Sequence, residues 1–480
     1  MKKTIMTIAA VAALIFGSSC NREVVPTLDV DSRTLSATSE GGTFTFNVIS
    51  NSDWTVSSDQ SGWVSFTPTS GTGDATVTVT VGIFTEAIPR TAKFVITGPA
   101  PLSTDVTLTQ TGPAAPAEPG KAKVFAIANA GEFEVEVPAG FTYTASPKDS
   151  WVKVLSTEDG LLKFSVESNF AGTENRTTSI TANLTDGTLL ETVEVEQSWR
   201  NVEPGELLIE EVYFAGSHIE GSSSADGDQY IRLTNNADHT VYADRILFVM
   251  SETSSQVAST GAYYAYPDLP DHIGINTMYM IPGDGDDVAL EPGKSLILAI
   301  SAQNFKEGNA SSFDLSKADF EFYDDNDIYP DTDNPDVANL DCWFKSSFTI
   351  TQLHQRGYES LALAYLPANY DAESFMAEFP WNGKKVMDWN GFHFERDIKD
   401  AYLIPNKWVI DGINMGVEEF FGTPAFNATI DAGYTGCGKL DNDPDRYGKS
   451  ARRISKDGKL ADTNNSTNDF QRDATPSLAE

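Results

Sequence analysis

The chain has 480 residues, a length that fits about three domains of ordinary size. Hydrophobic residues make up 40% and charged residues 21%, so most of the chain can fold around apolar cores. The 69 acidic residues against 33 Lys and Arg give a formal net charge of −36. This charge argues against a nucleic-acid partner and against docking on an anionic membrane face, since both are bound mainly through cationic side chains.

The first twenty residues have the pattern of an export signal. Lys2 and Lys3 precede an apolar run over residues 4–16 that is too short to cross a bilayer, and small residues lead directly to Cys20. The segment resembles a bacterial lipoprotein signal of the looser kind found in the Bacteroidota. That resemblance implies removal of residues 1–19 and acylation of Cys20, with residues 20–27 as a lipidated tether. An ordinary secretory signal that happens to end beside a cysteine is the alternative.

Lipidation at Cys20 would anchor the protein stably, because each buried CH₂ of an acyl chain contributes about 0.8 kcal/mol. The expected location is the outer membrane, and the anchor can lie on either its cell-surface or its periplasmic face. Loss of Lys2 and Lys3 would leave 31 basic and 69 acidic residues, a net charge of −38.

In two stretches, apolar and polar residues alternate at every second position, and Thr, Val and Glu are frequent. The first includes Thr43–Val48 and Thr76–Val81, and the second includes Phe133–Val137 and Val193–Glu196. This pattern predicts half-buried antiparallel strands. A Pro-rich segment, Gly112–Gly120, separates the two stretches, and Asn201–Gly205 forms a second break.

The two stretches align with each other at five landmarks, offset by 86 to 89 residues. The pairs are Gly42 with Gly131, Trp54 with Tyr143, Trp63 with Trp151, Arg90 with Arg176, and Gln110 with Gln197. A nearly constant offset indicates a duplication. Each unit of about 85 residues fits a small immunoglobulin-like β-sandwich.

The first unit, residues 28–112, carries the run EGGTFTFNVISNSDWTVSSDQSGWVSF followed by SGTGDATVTVTV, PRTAKFVI and DVTLTQTG. These residues resemble a BACON domain, and residues 121–200 resemble it less closely. The family name implies glycan binding, for which Trp54, Trp63 and Trp151 would be the stacking residues. Packing of these rings within the sandwich, and a spacer role for both modules, are the alternatives.

Residues 206–480 differ in composition from the modules. The pieces LLIEEVYF, YIRLTN, LEPGKSLILAI and DTNNSTNDF resemble a lamin-tail domain, which implies a larger, irregular β-sandwich. On that resemblance residues 303–449 would be a long insertion. The predicted fold is therefore all-β throughout: tandem immunoglobulin-like sandwiches, then a lamin-tail-like sandwich.

Several residues of this last region are candidates for chemistry. Cys342 and Cys437 could pair in an oxidising compartment, and two unpaired buried thiols are the alternative. Two acidic clusters could hold Ca²⁺, although neither fits an EF-hand, and solvated loops are the alternative. These clusters are Asp441, Asp443 and Asp445, and Asp324, Asp325 and Asp327.

The same region is rich in aromatic residues, and the candidates for stacking on a ligand are Trp381, Trp389, Trp408 and Tyr264, with packing in the core of the domain as the alternative. It contains no nucleophile elbow, zinc-protease motif or phosphate-binding loop. We therefore expect a non-enzymatic envelope protein that binds a glycan or a TonB-dependent uptake complex. A hydrolase with a carboxylate pair, and a purely structural spacer, are the rival hypotheses.

Overall fold

The computed structural model describes residues 24–116, 118–222, 225–257, 261–326 and 328–480. Strands dominate these residues, and the only α-helices in them are α1, Ala372–Glu378, and α2, Ser466–Asp469. The all-β class and the series of sandwiches are confirmed. The expected leader and Cys20 lie outside the described residues.

The first module is a sandwich of two sheets, β1-β3-β7-β5 and β2-β9-β8-β4-β6. Valines of β7 point alternately inward, and threonines between them face solvent, as the period of a strand requires. The core includes Phe46, Trp54 and Phe94. The strands are β1 Leu28–Val30, β2 Thr34–Ala37, β3 Gly42–Ser50, β4 Asp53–Ser58, β5 Val64–Thr67, β6 Ser70–Thr72, β7 Ala75–Val81, β8 Arg90–Thr97 and β9 Ser103–Gln110.

The second module repeats this plan with seven strands. Its sheets are β10-β16-β15-β12 and β11-β14-β13, and β10 runs parallel to β16 as β2 does to β9. Among the residues that the structure describes, the module lacks equivalents of β1 and β6. The strands are β10 Gly120–Ala126, β11 Gly131–Glu136, β12 Tyr143–Pro147, β13 Val152–Glu158, β14 Leu161–Val166, β15 Arg176–Leu184 and β16 Leu189–Gln197.

Three of the duplicated landmarks meet in the first module. The guanidinium of Arg90 lies 4.1 Å from the ring centroid of Trp63 and donates twice to Gln110 Oε1, at 3.0 and 2.8 Å. Gln110, which is fully buried, donates through Nε2 to the carbonyls of Thr38 and Gly82. The arrangement closes one end of the sandwich by satisfying backbone groups there.

The second module contains the same arrangement. Arg176 lies 4.2 Å from the Trp151 ring and donates to Gln197 Oε1 at 2.9 and 2.7 Å, and Gln197 Nε2 bonds the carbonyls of Ile127 and Glu167. The same Trp–Arg–Gln contact at equivalent strand ends of both modules supports the duplication inferred from the sequence.

The C-terminal domain has a seven-stranded sheet, β25-β24-β23-β18-β17-β32-β35, and a second sheet, β26-β21-β20-β27-β31, in which β30 also pairs with β21. Smaller pairs are β19-β22, β28-β29 and β33-β34. The strands are β17 Leu207–Tyr213, β18 Tyr230–Asn235, β19 Val241–Tyr242, β20 Ile246–Ser254, β21 His272–Met280, β22 Ala289–Leu290, β23 Ser295–Ala299, β24 Phe320–Glu321, β25 Ala338–Asn339, β26 Asp341–Lys345, β27 Glu359–Tyr365, β28 Gly383–Trp389, β29 Phe392–Ile398, β30 Tyr402–Pro405, β31 Val409–Ile413, β32 Ser450–Arg453, β33 Ser455–Lys456, β34 Lys459–Leu460 and β35 Phe470–Ala474.

The interpretation of residues 303–449 as an insertion is wrong. This segment supplies β26, β27, β30 and β31, four of the six strands of the second sheet, and their side chains belong to the main core. Leu361 and Leu363 of β27 are fully or almost fully buried. The segment is therefore an integral half of the sandwich, since without it the apolar face of the first sheet would be exposed.

A buried ion pair joins the two sheets of this domain. Arg453 of β32 donates to both carboxylate oxygens of Asp411 of β31 at 2.8 Å, and its Nε donates to the carbonyl of Ile209 in β17. The Arg453 side chain is 2% exposed and that of Asp411 is 4% exposed. One guanidinium nitrogen bonds both carboxylate oxygens of the second sheet while Nε bonds the first sheet, so the charge-assisted pair fixes how the sheets lie on each other.

The junction between the second module and the C-terminal domain is buried. Asn201 and Val202, within the expected break, are almost inaccessible, and Trp199 packs edge-on against Tyr365 with centroids 5.8 Å apart. Arg200 donates to the carbonyl of Lys407. The short Asn201–Gly205 segment thus forms part of a packed interface instead of a free linker.

Candidate functional site

The tryptophans of the modules have structural partners. Trp54 is 2% exposed, and its indole N–H donates to the carbonyl of Gly73 at 2.8 Å. Trp63 and Trp151 each carry an arginine over the ring. These contacts favour the packing interpretation, because a sugar would have to displace a cation that is already hydrogen-bonded in place.

Two of the four expected stacking residues in the C-terminal domain are buried. Trp381 is 4% exposed and packs with Ile398 and Ala401, and Trp408 is 5% exposed and packs against Tyr370. Neither ring presents a face to a ligand. The expectation for Trp381 and Trp408 is therefore wrong: both rings fill the core.

Trp389 lies at the end of a β-hairpin formed by β28 and β29, outside the two large sheets. Asn390 and Gly391 form its two-residue turn with φ of 49° and 79°. Asn-Gly favours this left-handed turn, because glycine lacks Cβ and asparagine tolerates positive φ. The turn fixes the register, in which Trp389 pairs with Phe392 and Met387 with Phe394.

Directly paired residues point to the same face, so these four side chains form one apolar surface, which we call the hairpin tip. Phe392 is 63% exposed, Phe394 is 42% exposed and Trp389 is 37% exposed. The two phenylalanine rings lie 6.2 Å apart. Such a contiguous exposed aromatic group on a folded domain is typical of an interaction site.

Tyr264, the fourth expected stacking residue, lies at the base of the same face. Its ring is half-buried, with Lys385 Nζ at 5.7 Å and the Arg396 guanidinium at 5.6 Å from the centroid. Lys385 also pairs with Glu252 at 2.8 Å and donates to Tyr266. The ion pair holds the hairpin against the body of the domain, and the two cations border the tip.

The opposite face of the hairpin is charged. His393 Nδ1 lies 2.7 Å from Asp388, and Lys384 pairs with Glu395 at 2.7 Å. Hydrogen bonds to Asp388 and Glu395 raise the pKa of His393. The hairpin therefore has one apolar and one charged face, because successive side chains of a strand point to opposite faces.

The first acidic cluster is built into the fold. Asp324 is 4% exposed, accepts from Tyr279 and from the Thr351 backbone, and pairs with Lys345 at 2.9 Å. Asp325 is exposed, and Asp327 lies outside the described residues. These partners neutralise the carboxylate that was expected to bind Ca²⁺.

The second cluster is also engaged. Asp441 pairs with Arg356 at 3.0 Å, and Asp443 accepts backbone N–H groups of Lys439 and Asp445, which hold the pKa of Asp443 below its usual range. Over the described part of the chain, no three His, Cys, Asp or Glu side chains converge on a point that could hold a metal ion. The Ca²⁺ expectation finds no support in this geometry, because Asp324, Asp441 and Asp443 accept from internal donors and the Asp445 side chain is exposed.

A polar cavity of about 500 Å³ is lined by His354, Arg356, Glu359 and Arg446, among others. Burial, with a smaller effect of Glu252, raises the pKa of Glu359 to about 7, and burial lowers the pKa of His354 to about 4. Glu359 is the one carboxylate in the lining. A glycosidase needs two facing acids, and neither Trp381 nor Trp389 borders this cavity.

The disulfide expected between Cys342 and Cys437 is not formed, and both cysteines are free. Cys342 lies on β26 opposite Tyr279, whereas Cys437 is 1% exposed in the core near the C-terminal segment. Burial raises the pKa of Cys437 to about 12. The two thiols lie in different parts of the domain. The number of residues between them in the sequence does not reveal this separation.

No helix in the described part of the chain combines the length and apolar character needed to cross a membrane. Phe392 and Phe394 were not among the expected ligand-binding residues. The signal for them was present in the sequence as an Asn-Gly pair flanked by alternating apolar residues, which predicts a hairpin and places Trp389, Phe392 and Phe394 on one face.

Two family models match the chain. Residues 291–477 match DUF4876, described as a protein of unknown function, and residues 52–111 match BACON, described as a putative binding domain, N-terminal. The DUF4876 match crosses the segment that had been interpreted as an insertion, in agreement with its place in the core. Curated proteins gave no match.

Solved structures give weak overall similarity. A DUF4876 family protein from Bacteroides thetaiotaomicron is 18% identical, with a TM-score of 0.43, and the alignment covers 74% of this chain and 95% of that one. A Bacteroides ovatus GH5 xyloglucanase in complex with a XXXG heptasaccharide is 19% identical, with a TM-score of 0.18, covering 22% of this chain and 27% of the other.

Proposed function

We propose that the protein is a non-enzymatic, lipid-anchored component of the cell envelope that binds a protein partner through the hairpin tip. Cys20 carries the lipid in the outer membrane, and the two N-terminal modules form a stalk. The C-terminal domain presents the tip to a component of an outer-membrane uptake complex of the TonB-dependent kind.

The observation that carries this proposal is the composition of the tip. Trp, Phe and Met, bordered by Arg, are the residue types enriched in the cores of protein–protein interfaces. Trp389, Phe392 and Phe394 are exposed, whereas Trp381 and Trp408 of the same domain are buried. An exposed apolar surface with no partner among the described residues favours a ligand that covers it.

A protein partner fits this surface better than a glycan. Sugar sites surround an aromatic ring with hydrogen-bonding side chains placed for individual hydroxyls. Here the neighbours of Trp389 on its face are Phe392, Met387 and Phe394, which offer no such groups. The carboxylates of the hairpin belong to its other face.

Site-specific photo-cross-linking tests the proposal in the native envelope. Benzoylphenylalanine replaces Phe392 in one full-length variant and Phe348, which is 72% exposed on another loop, in the control. We expect one discrete protein adduct from position 392 and none from position 348. Adducts that contain only glycan, equal adducts from both positions, or no adduct from position 392 would refute the proposal.

The anchor is tested in the same cells. Replacing Cys20 with Ala should move the protein from the membrane fraction to the soluble fraction and remove the fatty acid found by mass spectrometry on the wild-type protein. A wild-type protein that carries no fatty acid would refute the anchored form of the proposal.

A further inference from the structure

Strand β29 has a free edge. Within the described ranges, Phe392–Ile398 pairs only with β28. The other side of β28 is occupied, because Val386 exchanges two backbone hydrogen bonds with Ala265, at 2.7 and 2.9 Å. Strand β28 is therefore hydrogen-bonded on both edges, whereas β29 is hydrogen-bonded on one edge only.

The pairing pattern fixes which backbone groups face outward. In an antiparallel pair, residues whose N–H and C=O turn away from the partner lie opposite each other. The N–H and C=O of Val386 point away from β29, so those of Glu395, which lies opposite, point away from β28. Because the direction alternates along a strand, the N–H and C=O of His393 and Asp397 also point away from β28. Three N–H and three C=O groups thus form a template for a further strand.

The side chains on the free edge have a defined chemistry. Glu395 and Asp397 place carboxylates on the charged face, with Asp388 beside them, against two basic groups, Lys384 and His393. The whole chain carries a formal charge of −36. A strand that pairs here encounters carboxylates at alternate positions on one face and aromatic rings on the other.

Resting on the proposed function, we infer that the partner binds by strand addition to β29. The partner contributes an extended segment with Lys or Arg at alternate positions, which meet Glu395 and Asp397, and apolar side chains between them, which cover Phe392 and Phe394. Backbone hydrogen bonds would supply affinity, and the alternating side chains would supply specificity.

Two further points favour a basic segment over a second copy of this chain. Approach of two chains that each carry −36 is opposed by long-range repulsion, whereas a cationic segment is attracted. The charges on the edge are also selective, because Glu395 and Asp397 oppose pairing with an acidic strand and favour pairing with a basic one.

A synthetic peptide tests the inference on the full chain. The probe is acetyl-KVKVKVK-amide, with acetyl-EVEVEVE-amide as the matched control. Residue-resolved hydrogen exchange should slow by about tenfold or more at the amides of His393, Glu395 and Asp397 with the lysine peptide, and the amides of Phe392 and Phe394 should change little, since they already bond to β28. The control peptide should protect none of them.

Two variants separate backbone pairing from charge. Glu395→Pro removes an outward N–H that the hairpin does not use, and Glu395→Gln keeps that N–H but removes the charge. We expect the proline variant to weaken peptide binding by about tenfold or more, and the glutamine variant to weaken it less. Retention of the Val386–Ala265 amide protection shows that each variant keeps the hairpin folded.

Several results would overturn the inference: no binding at about 1 mM peptide, equal protection by both peptides, equal loss in both variants, or protection of β29 that appears on concentrating the protein without peptide, which would assign the edge to a second copy. An adduct at position 392 together with an unprotected β29 would overturn strand addition alone. The absence of any adduct would overturn the proposed function itself.

Discussion

Two tryptophans only eight positions apart, Trp381 and Trp389, should respond oppositely to removal. Trp381 is 4% exposed, and its ring lies so close to β21 that a Cβ added to Gly274 would come within 2.0 Å of it. Trp381→Ala would leave this space empty at the base of the hairpin, beside Ile398 and Ala401. Large aromatic-to-alanine changes in cores cost about 3–5 kcal/mol, and we expect that loss here.

Trp389→Ala is the matched control, since Trp389 has the same chemistry but is 37% exposed. Its effect on the free energy of unfolding should stay within about 0.5 kcal/mol. Urea unfolding followed by far-UV circular dichroism measures both variants without depending on the removed fluorophore. Equal stability of the two variants, or a larger loss for Trp389→Ala, would refute the assignment of Trp381 to the core and Trp389 to the surface.

Two further predictions concern buried charges. Asp411→Ala should lower the free energy of unfolding by about 3 kcal/mol, because it leaves the buried Arg453 guanidinium with only the longer carboxylate contacts to Asp462 and Asp469, at 3.5 and 4.0 Å. The double variant with Arg453→Met should recover part of this loss in urea titrations, and strictly additive losses would contradict the coupling. Glu359, whose pKa is raised to about 7 by burial and Glu252, stays protonated in the folded state at pH values where it ionises in the unfolded chain. The lowered pKa of His354 has the opposite effect over nearly the same pH range and is common to wild type and variant, so the comparison with Glu359→Gln isolates Glu359. The stability of the wild type relative to Glu359→Gln should fall by about 3 kcal/mol as pH rises from about 4.5 to about 7, and parallel pH profiles of the two proteins would contradict the burial effect.

The modules could be predicted almost entirely from the sequence. Period-two alternation identified the strands, and the constant offset of the landmarks identified the repeat. The landmarks Arg90 and Gln110 proved to contact each other, as did Arg176 and Gln197. These features are local or repeated, so the pattern itself carries the information.

The C-terminal domain was predicted less well. Its class was predicted correctly, but β27 and β31 were assigned to an insertion although they lie in the core. Strands that pair across long separations leave little local trace, because their partners are chosen by burial and register in three dimensions. Asn201 and Val202 illustrate the same point, since both are buried although the Asn201–Gly205 segment has the composition of a linker.

The sequence alone determined the alternation of strands and the acidic surface, and it already contained the Asn-Gly turn that brings Trp389 and Phe392 together. Tertiary structure alone decided which aromatic rings are exposed, which carboxylates are neutralised by internal donors, and that Cys342 and Cys437 are free. The physical reason is that composition and periodicity are properties of neighbouring residues, whereas exposure and pairing depend on which distant segments come to cover each side chain.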